Sequence, residues 1–433
     1  MQPSILGREL ALPCGAALPN RLAKAAMTEG LASTAGVPTA ALERLYGCWS
    51  DGGAGLLITG NVIVDANHLE RPGNVVIAGA PDDTLRRALA GWAQAAKRAG
   101  NAVWVQLSHA GRQTQKRVNP RPQAPSALRL ALPGGQFGTP VALAEPEIAE
   151  LIERFAIAAQ AVYEAGFDGV QIHAAHGYLL SQFLSPRSNV REDRYGGVLE
   201  HRARLLLEIY DTIRARVGPG FAVAVKLNSA DFQRGGFAFE DSLQVARWLQ
   251  ERGIDLIEIS GGTYEQPKLL GIAGLEPEER PDVARSTLER EAYFVDFALA
   301  MRRELSVPLM VTGGFRSRAA MEHAIEAGAA DLIGIGRPLC VQTDAPARLL
   351  AGADDLPRFE GRLRLLPPGL GFLNRWNTLR TLGAFATQYW FYAQLDALGH
   401  GGEAEPDLPV HRAAARVLAQ QTRFLRERRQ AAA

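Results

Sequence analysis

The sequence predicts an α/β fold in which eight parallel strands close into a (β/α)8 barrel, the TIM-barrel architecture, followed by a C-terminal helical extension. Short β-branched or apolar runs recur along the chain, and each is followed by a stretch with helical apolar spacing. Several of these stretches end in a glycine, which favours the left-handed cap that closes a helix. A doubly wound open sheet is the alternative architecture for this alternation.

The alternation assigns the elements in order. The predicted strands are 21–26, 55–59, 102–107, 169–173, 222–227, 256–259, 308–312 and 332–335. The predicted helices are 38–50, 83–99, 146–165, 199–217, 240–251, 287–304 and 317–327. The glycines that end helices are Gly100, Gly166, Gly218, Gly253 and Gly328. The loops 108–145 and 174–198 are unusually long, and because function in such a barrel collects on loops after strands, they predict a covered active site.

Length and composition bound the class of protein. The chain has 433 residues and changes character near Phe359, so we expect a barrel domain over residues 1–358 and a helical extension over 359–433. Hydrophobic residues make up 47% and charged residues 21%, as in folded globular chains. The 47 basic and 46 acidic side chains argue against nucleic acid as a partner. The three cysteines are too widely spaced for a zinc or iron–sulfur site, and a cytoplasmic location is expected.

No membrane span is expected, because neither a secretory signal nor an apolar stretch of about 18 residues occurs. Apolar side chains of the extension fall at helical spacing, at Phe372, Trp376, Leu382, Phe385, Ala386, Tyr389 and Ala393. We expect this helix to pack on the barrel or on a neighbouring subunit of a homo-oligomer; a helix at a membrane interface is the alternative. A solvated helix face is expected for Arg423, Arg426, Arg428 and Arg429.

Glycine-rich sequence follows the seventh and eighth strands. Gly313 and Gly314 come after the seventh strand, and Gly336 and Arg337 come after the eighth. Loops at these positions are the usual phosphate site of such a barrel, because glycine lets backbone N–H groups approach the oxygens and arginine adds charge-assisted hydrogen bonds. They predict a phosphorylated ligand. Tight strand-to-helix turns that merely require glycine are the alternative.

The fourth strand runs into two histidines and a tyrosine, His173, His176 and Tyr178. Imidazole and phenol groups just past a strand end can donate hydrogen bonds to an oxygen and supply a proton. A metal pair is a second interpretation, but no nearby carboxylate or cysteine offers a third ligand, so no metal is predicted. Two histidines that only support a loop would give the same spacing.

Lys226 and Gln106 lie near the ends of the fifth and third strands. A lysine there can compensate negative charge that develops on a ring, and a glutamine can pair with the amide edge of a flavin pyrimidine. Each residue alone is as well explained by an ordinary polar contact at the rim. Together with the phosphate loops, they predict a phosphorylated planar cofactor.

The segment 173–197 reads HAAHGYLLSQFLSPRSNVREDRYGG and closely resembles the signature of the Old Yellow Enzyme family of FMN-dependent ene reductases. The resemblance covers roughly residues 1–350, with further matches at 19–22, 106–112, 260–265 and 336–338. It implies FMN as cofactor, NADPH or NADH as reductant, and a small activated alkene as substrate. Such a reduction requires a polarised carbonyl, a positioned acid and a hydride donor.

The resemblance also implies roles for individual residues. His173 and His176 would bind the carbonyl or nitro oxygen of the substrate, and Tyr178 would protonate its α-carbon, while flavin N5 delivers hydride to the β-carbon. The implied flavin contacts are Ala26, Met27 and Gly60 through backbone, Thr28 near O4, Gln106 at the pyrimidine edge, Lys226 near N1, and Gly313, Gly314, Gly336 and Arg337 at the phosphate.

The chain departs from the family pattern at three positions. Many bacterial members have cysteine where Thr28 stands, tyrosine where Gly30 stands and arginine where Lys226 stands. The first two changes alter flavin tuning and remove a substrate contact, whereas lysine keeps the charge but loses the planar fork of arginine. Members with an iron–sulfur centre carry a cysteine cluster that this sequence lacks.

Other functions are compatible with a flavin barrel. It could reduce another electrophile, such as a quinone or a nitro compound. A tRNA-dihydrouridine synthase would need an acidic cysteine on an active-site loop and a basic surface, neither of which is evident. A non-catalytic flavin-binding barrel would not require His173, His176 and Tyr178 together.

Overall fold

The computed structural model describes residues 4–130, 132, 135–261, 294–365 and 377–432. Its strands are β1 (Leu10–Ala11), β2 (Ala17–Leu18), β3 (Leu22–Lys24), β4 (Leu56–Ile63), β5 (Ala102–Ser108), β6 (Gln123–Ala124), β7 (Val141–Ala142), β8 (Gly169–Ala174), β9 (Ala222–Asn228), β10 (Leu256–Ser260), β11 (Leu309–Thr312) and β12 (Leu332–Ile335). Eight of them close into a barrel in the order β10–β11–β12–β3–β4–β5–β8–β9, and each neighbouring pair is parallel. The predicted (β/α)8 barrel is confirmed, and the open sheet is excluded.

Helices connect the strands and cover the outside of the barrel. They are α1 (Ala40–Asp51), α2 (Asp83–Ala96), α3 (Glu145–Glu164), α4 (Leu179–Leu184), α5 (Leu199–Val217), α6 (Phe239–Glu251), α7 (Val295–Arg302), α8 (Arg318–Glu326), α9 (Ala345–Leu350), α10 (Asn377–Gly399) and α11 (Val410–Ala432). The predicted helix-ending glycines all adopt positive φ, at Gly100, Gly166, Gly218, Gly253 and Gly328.

Two separate cores follow from the alternation of strand side chains. One set of side chains packs outward against the helices, as Val170 and Val225 do. The other set packs inside the barrel, where Trp104 and Met310 meet Leu18 of the small β1–β2 hairpin. Side chains on one face of a strand recur every two residues, so the residues that follow this inner set also point into the barrel. They lie near its carboxyl end, where the predicted site residues stand.

Several predicted boundaries are wrong by a few residues. The predicted strand 55–59 continues to Ile63, because a register shift between Ile58 and Asn61 lets the strand pass the polar Gly60–Asn61 step. The predicted strand 21–26 shortens to three residues, Leu22–Lys24. The first part of the predicted helix 287–304 lies outside the described residues, and its described part begins at Val295.

The C-terminal extension contains two described helices, α10 and α11, called here the helical pair. Ala386 and Trp390 of α10 are buried, and Arg44 of α1 donates to the carbonyl oxygen of Gly399 at 2.7 Å, so the pair packs on its own barrel. The expected solvated arginine face is wrong for Arg428, which is partly buried and donates to the carbonyl oxygen of Ala66 at 2.7 Å. Phe372 and Trp376 lie outside the described residues. Among the helices described, none is long and apolar enough to cross a membrane.

Candidate active site

The predicted site residues meet at the carboxyl ends of the barrel strands. Strand register places His173 on β8 opposite Lys226 on β9, and Lys226 opposite Glu258 on β10. Gln106 on β5 lies opposite Gln171 on β8. Because these positions share the inward face of the strands, their side chains form one layer, called here the polar layer, above the apolar barrel interior.

His173, His176 and Tyr178 form a cluster of three rings where β8 ends. The ring centroid of His173 lies 5.1 Å from that of His176 and 4.9 Å from that of Tyr178, and both pairs meet edge to face. His176 has φ of 62°, a left-handed conformation that few residues other than glycine adopt. Asn228 supports this turn, because its Oδ1 accepts the backbone N–H of His176 at 3.1 Å.

Hydrogen bonds and burial fix the state of the imidazoles. Nδ1 of His173 accepts the backbone N–H of Ala175 at 3.2 Å, so its proton is on Nε2. Nε2 of His176 lies 2.6 Å from Oγ of Ser260. Burial holds the pKa of His173 well below its usual range, aided by His176 and Lys226, and burial and Lys226 lower the pKa of His176 in the same way. His173 therefore presents a neutral N–H donor.

A chain of hydrogen bonds runs through the polar layer. Gln106 Nε2 donates to Gln171 Oε1 at 2.6 Å, and Gln171 Nε2 donates to Glu258 Oε2 at 2.7 Å. The other oxygen of Glu258 lies 2.8 Å from Nζ of Lys226, and both side chains are buried. Since a carboxylate only accepts, Glu258 sets the direction of both amides and leaves Oε1 of Gln106 outside the chain as an acceptor. The charge of Lys226 is balanced within the layer.

The segment 26–28, which was expected to line the flavin, follows β3 and packs closely against Gly60. A Cβ at Gly60 would lie 2.4 Å from the carbonyl oxygen of Met27, so only glycine permits this approach. The backbone N–H of Gly60 donates to Glu29 Oε1 at 3.0 Å, and Nζ of Lys24 lies 3.9 Å from the same oxygen. Burial lowers the pKa of Lys24 to about 8. The buried pair of Lys24 and Glu29 thus fixes the position of the segment 26–28.

The glycine-rich loops and two arginines form the opposite side of the site, called here the phosphate cradle. Gly313 and Gly314 have φ of 131° and 80°, conformations that glycine favours. Gly336 follows β12 and has open space beside it, where a Cβ would touch only a sulfur atom at 3.8 Å. Arg337 keeps a side chain that is 44% exposed, whereas Arg316 is buried.

A carboxylate shares the phosphate cradle. Oε1 of Glu360 accepts a hydrogen bond from Arg316 and lies 3.8 Å from NH1 of Arg337. Together the three side chains carry one net positive charge. Nε of Arg316 has no hydrogen-bond partner among the described residues.

These groups fit FMN. A phosphate dianion suits backbone N–H groups of positive-φ glycines together with two guanidinium groups. At the other end, the free acceptor of Gln106 suits the imide N–H of a flavin pyrimidine. Gln106, Lys226, Thr28 and the phosphate cradle would therefore hold the cofactor.

Among the residues of the site that reasoning from the sequence missed are Asn228, Glu258, Ser260 and Glu360. A detectable signal was the polar residue inside an apolar strand run, since Glu258 interrupts LIEIS and Asn228 ends AVAVKLN. Ser260 stands at the last position of its strand, where a barrel places functional groups. Glu360 carried no such signal, because its position depends on how the chain beyond the barrel folds back.

A second buried cluster, Asp65, His68 and His109, has the composition of a metal site. Nε2 of His68 accepts the backbone N–H of Gln123 at 2.9 Å, and Nδ1 of His109 accepts that of Gly111 at 3.1 Å. The opposite ring nitrogens, which face Asp65, therefore carry the protons. These two protonated nitrogens lie 3.2 and 3.9 Å from Oδ2 of Asp65, so they make polar contacts with the carboxylate rather than form a set of metal ligands.

Comparison with known proteins places the barrel among flavin oxidoreductases. Residues 15–355 match the model of the NADH:flavin oxidoreductase / NADH oxidase family. The chain is 37% identical over 357 residues to the NADH-dependent flavin oxidoreductase iliE of Hypocrea jecorina, covering 79% of this chain and 88% of that protein. It is 38% identical over 356 residues to the iliE protein of Neonectria sp., covering 78% of this chain but only 46% of that longer protein.

A solved structure supports the same relationship. The Old Yellow Enzyme homologue from Zymomonas mobilis superposes with a TM-score of 0.68 at 27% sequence identity. The similarity covers 82% of this chain and 94% of that chain. The helical pair lies beyond the residues that match the family model.

Proposed function

The chain belongs to the NADH:flavin oxidoreductase / NADH oxidase family, which includes the Old Yellow Enzymes and uses FMN with NADH or NADPH, and on that premise we propose that it is an ene reductase. Its substrate class is the activated alkene, such as an α,β-unsaturated carbonyl compound. The observation that carries the proposal is the cluster of two neutral imidazoles and a phenol at the end of β8.

The imidazoles would bind the substrate oxygen. Reduction of an activated alkene places negative charge on that oxygen, and donors aimed at developing charge stabilise the transition state. His173 offers Nε2–H, and the contact with Ser260 orients the ring of His176. Because both rings are neutral, the substrate is bound without a fixed positive charge, and their hydrogen bonds strengthen only as charge develops.

Tyr178 would supply the proton. Its ring packs edge to face against His173, and the side chain is 4% exposed, so the phenol is held beside the proposed oxygen site and away from bulk water. FMN, when bound, would supply the hydride, drawn from NADH or NADPH, for the electron-poor β-carbon. The phenol proton then goes to the α-carbon, and one hydride plus one proton convert the C=C bond to a C–C single bond.

Lys226 would act differently from an isolated cation near the flavin. Its charge is paired with Glu258, so it contributes a hydrogen-bond donor and a local dipole rather than a free positive charge. Lys226 would therefore stabilise the negative charge of the reduced flavin less than the sequence suggested. Glu258 acts through Lys226 and Gln171 as a positioning residue.

An anaerobic absorption experiment tests the proposal. The FMN-loaded protein is reduced with one equivalent of NADH or NADPH, and cyclohexenone is then added. We expect the flavin band to bleach and then return as cyclohexanone forms, while added cyclohexanone, which lacks the C=C bond, restores nothing. A flavin that NADH or NADPH bleaches and that only oxygen, quinones or nitro compounds reoxidise would overturn the ene-reductase assignment.

A further inference from the structure

A cavity of about 30 Å³ lies between the barrel and the helical pair. The barrel contributes Glu70, Arg71 and Gln113 to its wall, and the helical pair contributes Tyr389, Tyr392 and Gln421. Part of this wall therefore comes from a segment of the chain that lies beyond the family match at residues 15–355.

The wall contains buried polar atoms that have no hydrogen-bond partner among the described residues. They are Glu70 Oε2, Arg71 Nε, Gln113 Oε1 and Gln421 Nε2, on side chains of residues that are 8%, 5%, 2% and 3% exposed. Two of these atoms accept and two donate. Leaving such groups buried and unpaired is unfavourable, so the wall is complementary to a ligand group that can both donate and accept.

The cavity adjoins the proposed active site on two sides. Arg71 donates through NH1 to the carbonyl oxygen of Thr28 at 3.2 Å, in the segment expected to line the flavin. Gln113 donates through Nε2 to the carbonyl oxygen of His176 at 3.1 Å. The side chains of Arg71 and Gln113 thus connect the cavity to Thr28 and His176, between which a substrate would lie.

Two features fix the position of the Arg71 side chain: Gly30, where many bacterial family members have tyrosine, and the helical pair. A Cβ at Gly30 would lie 2.8 Å from Cζ of Arg71, so the absence of a side chain there leaves room for the guanidinium group. On its other side, Cζ of Arg71 lies 3.5 Å from the ring centroid of Tyr392. The arginine is held between the barrel segment and α10.

We propose that this polar cavity binds a small hydroxyl group that the substrate carries away from its reducible bond, and that the helical pair thereby determines substrate selectivity. That the bound group belongs to a substrate rests on the proposed function, but the binding of the group by the cavity does not. A volume near that of one water molecule admits a group of one or two heavy atoms. An apolar group of the same size would leave the four polar atoms unpaired, and sites built this way reject such analogues strongly.

A pair of phenols of equal size tests the cavity without turnover. 4-(Hydroxymethyl)phenol and 4-ethylphenol are titrated into the oxidised FMN-loaded protein, with the change in flavin absorption as the signal. We expect the hydroxymethyl compound to bind at least about 10-fold more tightly, since one missed hydrogen bond to a buried group costs about that factor. In the Gln421→Leu variant, the ratio falls toward one.

The matched control is Gln420→Leu. Gln420 is the neighbour of Gln421 on α11, but its Nε2 donates to Asp396 at 2.7 Å instead of lining the cavity. Its ratio should equal that of the unmodified protein. Binding of 4-ethylphenol to Gln421→Leu confirms that this variant is folded.

Equal affinity of the two phenols in the unmodified protein, or a preference that Gln421→Leu leaves undiminished, overturns the inference. Failure of the proposed function gives a different result: the preference for the hydroxymethyl compound persists, but no enone reoxidises the reduced flavin. The same preference in kcat/KM for 4-(2-hydroxyethyl)cyclohex-2-enone over 4-propylcyclohex-2-enone ties the cavity to catalysis.

Discussion

The two sides of the active site balance their charges in different ways. In the polar layer, Lys226 and Glu258 are paired at 2.8 Å, and each side chain is 4% exposed or less. In the phosphate cradle, Arg337 is 44% exposed, and one carboxylate, that of Glu360, is shared between two arginines. A buried pair is organised before any ligand arrives, whereas a partly exposed carboxylate can give way to a ligand of the same sign.

Glu258 and Glu360 therefore have different roles at the same end of the barrel. Glu258 accepts a hydrogen bond from Gln171 at one oxygen and forms an ion pair with Lys226 at the other, so its removal disrupts a network. Glu360 stands where a phosphate would gain from the same arginines, so its negative charge opposes the ligand. The same substitution, glutamate to glutamine, should therefore strongly destabilise the fold at Glu258 but strengthen FMN binding at Glu360.

The largest effect is expected for Glu258→Gln. Removing one partner of a buried ion pair leaves Lys226 without its counter-charge, and we expect the free energy of unfolding to fall by about 3 kcal/mol. Urea unfolding measures this. Glu304→Gln is the matched control, because Glu304 pairs with Arg247 where both side chains are more than one-third exposed, and it should change stability by less than about 1 kcal/mol. Equal changes in the two variants would mean that the layer is not preorganised.

Next in size is the effect of His176→Ala on phenolate binding. A hydrogen bond from the imidazole to a charged oxygen is worth about 1.5–3 kcal/mol, so the Kd of a phenol should rise roughly 10- to 100-fold. Titration of the oxidised flavin absorption provides the Kd. His201→Ala changes a histidine on α5, which contacts the carbonyl oxygen of Gly196, and should leave the Kd unchanged. An unaltered Kd in His176→Ala would assign this residue a purely structural role.

A smaller effect concerns pH. The pKa values of His173 and His176 are depressed in the folded protein, so below about pH 6.5 the unfolded chain binds protons that the folded protein does not. Stability from these residues is fully present above that pH and is lost as the pH falls. Each residue contributes a slope of up to about 1.4 kcal/mol per pH unit. Urea unfolding at several pH values should show that the stability of His173→Asn declines less steeply with falling pH than that of the unmodified protein. Parallel curves for the two proteins would contradict the assignment of a neutral imidazole.

The smallest effect is expected in the phosphate cradle. Glu360→Gln removes a partly exposed negative charge beside two arginines, so FMN should bind a few-fold more tightly, with a loss of stability under about 1 kcal/mol. Fluorescence quenching of added FMN measures the affinity. Asp354→Asn provides a control at the exposed pair with Arg318. Weaker FMN binding in Glu360→Gln would show that the carboxylate supports the cradle rather than competing with the phosphate.

The barrel, and the meeting of the predicted site residues at one end of it, followed from the sequence because both depend on local patterns. Apolar runs, helical spacing and helix-ending glycines are short-range signals, and the closed barrel then brings the ends of all strands together. The sequence singled out His173, His176 and Tyr178 because they stand within six residues at one strand end. Gln106 and Lys226 were found because they interrupt apolar strands.

Other parts of the site depend on contacts between distant segments. Arg71 and Tyr392 are separated by more than three hundred residues, yet their side chains stack, and no local pattern in either segment indicates this. Glu360 reaches Arg316 in the same way. The expected solvated face at Arg428 failed for a related reason, since a charge pattern on a helix does not reveal which carbonyl groups the helix will pack against.

Tyr178→Phe tests the central claim most directly, because it separates the two half-reactions. In the FMN-loaded protein, rapid mixing measures the reduction of the flavin by NADH and, separately, its reoxidation by cyclohexenone. The phenol proton is needed only in the second step, so we predict reoxidation slowed by about 10²- to 10⁴-fold with flavin reduction unchanged. Equal losses in both steps, or unchanged reoxidation by the enone, would contradict the assignment of Tyr178 as the acid of an ene reductase.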